Sequence, residues 1–298
     1  MKNILFLIVI VSLLSSCVKN NPDPSWITVN GWQLIENPNN LIVNTGVLTH
    51  NISEAWVYVD NDLMGVFELP VTIPVLTAGN SEIKIYPAIR NNGIASTKKV
   101  YPFMEPYTVT MNLVQNEEVA ISPITQYYSS VKFNVEDFEN GGTSVVQEGS
   151  ASSALISYSS DPAIYDLEIN GGEFLQINLD ETNSEWIAST IFNGGGSALN
   201  MPLPKGQEVY LEIDYHTTNK FTSGLLGIGS NGLQDNANVT ITADEPGSAV
   251  WKKIYIDLRE IVSGMQGKDY YEFSFQAILD ENESSGQINI DNLKAVYF

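Results

Sequence analysis

The sequence predicts an all-β protein made of two sandwiches in tandem, and three observations lead there. Apolar residues recur at every second position in run after run, while helical periodicity is nearly absent. The runs are separated by Gly, Asn and Asp turns, in a chain with 22 glycines. The length, 298 residues, suits two domains better than one.

Alternation places the elements in order. In the first half, Ala55 to Val59 alternates and meets a turn at Asp60-Asn61-Asp62. Ile83 to Ile89 alternates and turns at Asn91-Asn92-Gly93, and Tyr107 to Leu113 alternates again. These runs predict a small Ig-like or PEGA-like β-sandwich over residues 26–114. Residues 115–129 hold Glu117-Glu118, Pro123 and Tyr127-Tyr128, and are read as a linker. The rest, 130–298, reads as a jelly roll. Its strands are Ser130 to Glu139, Phe174 to Leu179, Val209 to Tyr215, Trp251 to Leu258, Tyr271 to Ala277 and Gln287 to Leu293, with a short helix from Arg259 to Ser263. In Val209 to Tyr215 the odd-numbered positions are apolar or aromatic, so they should face the core. Asp60 to Gly65 has the look of a calcium loop but lacks its third acid, at Met64, and its terminal Glu, at Val71; it is a hairpin turn.

Two stretches carry resemblances. Val57-Tyr58-Val59-Asp60, Gly65, Pro70, Gly79 and Ile83-Lys84-Ile85 resemble a PEGA-type surface repeat, which implies a spacer or binding module without chemistry. Asp137-Phe138-Glu139 and Ile290-Asp291-Asn292-Leu293-Lys294 resemble the first and last strands of galactose-binding-domain-like jelly rolls, the fold of many carbohydrate-binding modules. The whole is similar to two-domain envelope lipoproteins.

The N-terminus points to export. Lys2 precedes an apolar run, Ile4 to Leu14, that is too short for a bilayer core of ~30 Å and suits a signal-peptide core. Leu14-Ser15-Ser16-Cys17 follows and resembles a bacterial lipobox, which makes Cys17 the lipidation site and residues 1–17 the signal segment. A thiolate is the side-chain nucleophile suited to accept the lipid. Cys17 is the chain's single cysteine, so no intrachain disulfide is possible. Residues 18–25 read as a polar, proline-bearing tether. Three acyl chains would hold the protein at the outer membrane, palmitate among them. Lys19 is followed by Asn20 and Asn21 before Asp23, which leaves the periplasmic and surface faces both open.

Charge narrows the partners. With 35 acidic against 14 basic residues, the formal charge of −21 repels nucleic acid and excludes DNA or RNA as a ligand. The motifs give catalysis little: the two histidines, His50 and His216, fall in different domains, and no nucleophile elbow, zinc motif or phosphate loop occurs. The chain therefore reads as a non-enzymatic binding module for a glycan or another envelope component. The alternative is an assembly subunit that binds an outer-membrane protein. A glycoside hydrolase is the remote alternative, since two carboxylates at the right separation suffice.

Candidate site residues follow. The jelly-roll resemblance implies a structural Ca²⁺ held by acids of the first and last strands, here Glu136, Glu139 and Asp291; calcium takes six to eight oxygens, some from the backbone. Sugar recognition needs exposed aromatics beside polar groups. Trp186 follows a polar loop, and Tyr215, His216 and Phe221 flank Thr217 to Lys220, so these four are the candidate ligand contacts. Trp251 and Tyr255, in an alternating strand, are read as core.

Overall fold

A computed structural model gives the fold, and it describes residues 22–39, 44–139, 144–147, 152–166, 168–190 and 201–298. Cys17 and the lipobox lie outside the described residues.

Among the described residues the N-terminal unit holds ten strands: β1 (Ser25–Val29), β2 (Gln33–Leu34), β3 (Glu54–Val59), β4 (Asp62–Glu68), β5 (Val71–Val75), β6 (Gly79–Arg90), β7 (Lys98–Val100), β8 (Tyr107–Leu113), β9 (Glu118–Ile121) and β10 (Ile124–Thr125). One sheet runs β5-β1-β9, and another runs β4-β3-β6-β7 with β8 also on β6. Asp60 and Asn61 turn the β3–β4 hairpin with φ of 51° and 70°, the left-handed pair a tight hairpin demands, so the hairpin reading of Asp60 to Gly65 holds.

The expected linker at 115–129 is corrected. β9 pairs in parallel with β1, β10 pairs in parallel with β2, and Tyr127 is buried in the N-terminal core. The alternation Val119, Ile121 is too short to stand out between acids and a proline.

The second unit is a two-sheet sandwich formed by β11 (Lys132–Glu136), β12 (Val145–Gln147), β13 (Leu155–Ser159), β14 (Phe174–Asp180), β15 (Glu185–Thr190), β16 (Val209–Thr217), β17 (Phe221–Gly229), β18 (Gly232–Ile241), β19 (Lys252–Asp257), α1 (Arg259–Gly264), β20 (Tyr270–Ile278) and β21 (Ser285–Tyr297). One sheet has the order β13-β14-β21-β16-β19, with β11 paired to β21; the facing sheet has the order β12-β15-β20-β17-β18. Between them lie Leu175, Ile177, Leu211, Ile213, Phe273, Phe275, Ile288 and Ile290, all at most 1% exposed. All-β architecture in two sandwiches is thus what the chain adopts.

The two units share structure. Tyr210, Tyr255 and Val296, on the outer face of the first jelly-roll sheet, belong to the N-terminal core. Tyr101 packs on Tyr210 and Tyr255 with ring centres 5.3 and 4.9 Å apart. Tyr255 was expected within the jelly-roll core; it is buried between the units instead.

Candidate functional site

Alternation on three adjacent strands builds the outer face of the β13-β14-β21-β16-β19 sheet. On β16 the odd residues point inward, so Tyr210, Glu212, Asp214 and His216 point out. The registers then align cross-strand rows. Asp291, Asp214 and Lys253 form one; Ser157, Gln176, Asn289 and His216 form the next; Leu155, Asn178 and Gln287 form a third.

The end of this face nearest the N-terminal unit is sealed and charged. Lys253 Nζ forms an ion pair with Glu212 Oε2 at 3.1 Å and donates to Asp214 Oδ1 at 3.4 Å and Thr49 Oγ1 at 3.0 Å. Tyr101 and Tyr127 both donate their hydroxyls to Glu212 Oε1, and Thr49 donates to Asp214 Oδ2. Burial pushes Glu212 upward, but Lys253, Lys294 and the two tyrosines overcome it and hold the carboxyl below its ordinary value. Lys253 is pulled down by burial and lifted by Asp214 and Glu212, with a net rise. Lys294 donates to the Val47 carbonyl; burial and then the Lys253 charge lower it to about 8.

Further along the same strands the charge disappears and four carboxamides close into a ring. Gln287 Nε2 donates to Asn178 Oδ1 at 3.1 Å, and Asn178 Nδ2 to Gln176 Oε1 at 3.4 Å. Gln176 Nε2 donates to Asn289 Oδ1 at 3.2 Å, and Asn289 Nδ2 to Gln287 Oε1 at 3.0 Å. Asn289 is buried and also bonds His216, whereas Gln176, Asn178 and Gln287 are half-exposed. A carboxamide has two N–H donors and two lone pairs, so each half-exposed member keeps capacity for a polar ligand. Trp251 flanks the ring. It is half-buried, donates to the Ile164 carbonyl at 2.6 Å, and sits 5.9 Å from the His216 ring and 5.3 Å from Phe174. Burial lowers the His216 imidazole, which stays neutral at pH 7.

The predicted contacts divide. His216 lies on this face, but only 7% exposed, and it orients Asn289. Trp186 is corrected: it is fully buried and stacked on Phe275 at 5.6 Å and 10°, because the polar loop before it ends at β15 and the second residue of that strand turns inward. Phe221 is also corrected, at 1% exposed in the core, and Tyr215 packs beside it at the core's edge. Trp251, expected in the core, lies on the open face.

The calcium set does not assemble. Among the described residues no three His, Cys, Asp or Glu side chains gather to hold a metal ion. Glu136 accepts the Phe138 and Ser144 backbone amides, one on each oxygen, and so serves as a turn clamp. Glu139 lies against Gly171 and Gly172 and accepts the Glu173 amide at 3.2 Å. Asp291 accepts from Asn170 Nδ2 at 2.6 Å and from the Asn292 amide at 2.7 Å.

Sequence reasoning missed the amide ring, although the signal was present. Gln176-Ile177-Asn178 and Gln287-Ile288-Asn289 are the same tripeptide on two strands. Antiparallel pairing sets Gln176 opposite Asn289 and Asn178 opposite Gln287.

No family model matches the chain, and no curated protein matches it. Among solved structures, a study of carbohydrate-binding modules of the β-sandwich superfamily is similar at TM-score 0.38 and 12% identity, over 82% of this chain and 85% of that one. The family 11 carbohydrate-binding module of a Clostridium thermocellum cellulosomal cellulase is similar at TM-score 0.36 and 16% identity, over 56% and 95%. A family 29 carbohydrate-binding module is similar at TM-score 0.34 and 15% identity, over 56% and 88%. The assignment of two β-sandwiches rests on the strand order and cores described above.

Proposed function

We propose that the chain is a non-catalytic glycan-binding protein, anchored to the bacterial outer membrane through lipid on Cys17. The observation that carries the binding reading is the ring of Gln176, Asn178, Gln287 and Asn289 on an open sheet face. Carboxamides donate and accept at once, which matches hydroxyl groups, and a sheet holds them at fixed spacing. Trp251 beside them offers an apolar surface for a sugar's CH face. The facing sheet supports a second reading, a protein partner. Its residues Val146 and Ile278 are 42% and 64% exposed, and Leu233 on the edge strand β18 is 63% exposed.

A glycan array probed with residues 18–298 tests the first reading. Neutral glycans should bind, and Gln176→Ala with Asn178→Ala should weaken binding about tenfold, ~1.4 kcal/mol, while thermal melting stays close to the parent. A folded protein with a blank array would shift the reading to the protein partner. For the anchor, Cys17→Ser should move the protein from the membrane fraction to the soluble fraction of the cell envelope; retention in the membrane would refute it.

A further inference from the structure

A cleft of about 530 Å³ opens at the junction of the two units, within the ~300–1,000 Å³ usual for small-ligand sites. The N-terminal unit supplies Thr49, His50 and Asn51 to its wall; the jelly roll supplies Ile169, Asp214 and Trp251. Trp251 lines the cleft and sits 5.9 Å from the His216 ring, which in turn bonds Asn289 of the amide ring. Beyond Asp214 the face is closed: Glu212 is fully buried beneath Tyr101 and Tyr127. A ligand lying on the amide ring and passing Trp251 therefore meets a dead end.

Most charges here are paired: Asp214 is held by Lys253 and Thr49, and Lys252 by Asp244, while the exposed Glu168 adds an acid to the lining. His50 accepts the Ile52 backbone N–H on Nδ1 at 3.3 Å, which leaves the ring proton on Nε2 as a donor for the cleft. Desolvation of the ring, and then the Lys253 charge, keep this imidazole below its ordinary value and neutral at pH 7. In a chain of formal charge −21 such a polar cleft, with Glu168 as its remaining acid, suits an uncharged polyhydroxylated ligand and disfavours uronate or sulfated sugars.

We propose that the interdomain cleft holds the terminal residues of a neutral glycan chain whose next residues lie on the amide ring, so that the N-terminal unit is part of the binding site. This rests on the glycan-binding reading above and adds to it the ligand's charge class, its end-on placement and the role of His50.

The test uses the whole chain after Cys17 and isothermal titration with neutral hexasaccharides: cellohexaose, laminarihexaose, mannohexaose and xylohexaose. Two cleft variants are compared with the amide double variant. His50→Ala removes the donor, and His50→Trp fills the cleft; His50 belongs to neither hydrophobic core, so both should fold. For the hexasaccharide that binds, each cleft variant should lose at least tenfold in affinity, as should the amide variant. Competition by the long polymer of the same linkage should follow the molar concentration of chain ends. If the amide variant loses binding while both cleft variants bind as the parent does, the cleft inference falls and the glycan reading stands. Competition that follows polymer mass overturns end-on binding. If no hexasaccharide binds the folded parent, both readings fall together.

Discussion

Asp291 is the residue on which sequence and structure differ most in chemistry. As a calcium ligand it would be ionised and would gain from a nearby cation. In the fold it is 1% exposed and lies directly across from Asp214 on the neighbouring strand. Burial, and then the Asp214 and Glu139 charges, push its carboxyl up to about 8, against the hydrogen bonds from Asn170 and Asn292. Between its unfolded value near 4 and its folded value near 8, the native state holds a proton that the unfolded chain has released. Its contribution to stability therefore falls as pH rises through that window, by at most ~1.4 kcal/mol per pH unit. Asp291→Asn has nothing to titrate. Thermal melts from pH 4.5 to 7.5 should show the variant gaining on the parent as pH rises, whatever its starting offset. Parallel curves for the two proteins would mean that Asp291 ionises at an ordinary value.

At the scale of the elements, what could be read depended on how strictly a strand alternates. β3, β6, β8, β14, β16, β19, β20 and β21 bury one face against a core, so their apolar residues mark them in the sequence, and each was expected close to where it lies. β17 was not expected: Gly224, Gly227 and Gly229 interrupt its pattern. The structure gives each a reason, since a Cβ at those positions would come within 2.6, 2.5 and 2.0 Å of the Asn236 carbonyl, the Met265 sulfur and the Gly267 carbonyl. β18, an edge strand, is mostly exposed and polar and lacks apolar alternation. The site was less legible than the fold for a related reason. The search for aromatics found Trp186 and Phe221, whose alternation sends them into the core. The outward residues Gln176, Asn178, Gln287 and Asn289 are amides, which look like ordinary solvent-facing positions until pairing brings the two Gln-Ile-Asn segments side by side. Register is a long-range property, and a single strand does not disclose its partner.

At the scale of the molecule, the point where the chain passes from the strands of the first unit to those of the second, between β10 and β11, does not divide the packing. Tyr210, Tyr255 and Val296 of the jelly roll complete the N-terminal core, and Phe298 packs on Phe103 at 5.0 Å. Backbone joins the units too: the Asn92 amide donates to the Tyr255 carbonyl, and the Asp257 amide to the Asn92 side chain. Beneath these contacts Lys253 is the cation for two buried carboxylates, Glu212 and Asp214, with side chains of all three at most 3% exposed. Such a cluster is costly to break from one side, because Glu212 and Asp214 stay buried with Lys294 as their remaining nearby cation. Lys253→Met should therefore destabilise the protein by ~3–5 kcal/mol. Since the cluster is shared, the loss should be felt by both units at once. Calorimetry of residues 18–298 should give one cooperative transition for the parent, and the same single transition at lower temperature for the variant. Two transitions, of which only one moves on substitution, would mean that the units fold independently, and the interdomain cleft would then lack the rigid wall that holds Thr49 to Asn51 against Asp214 and Trp251.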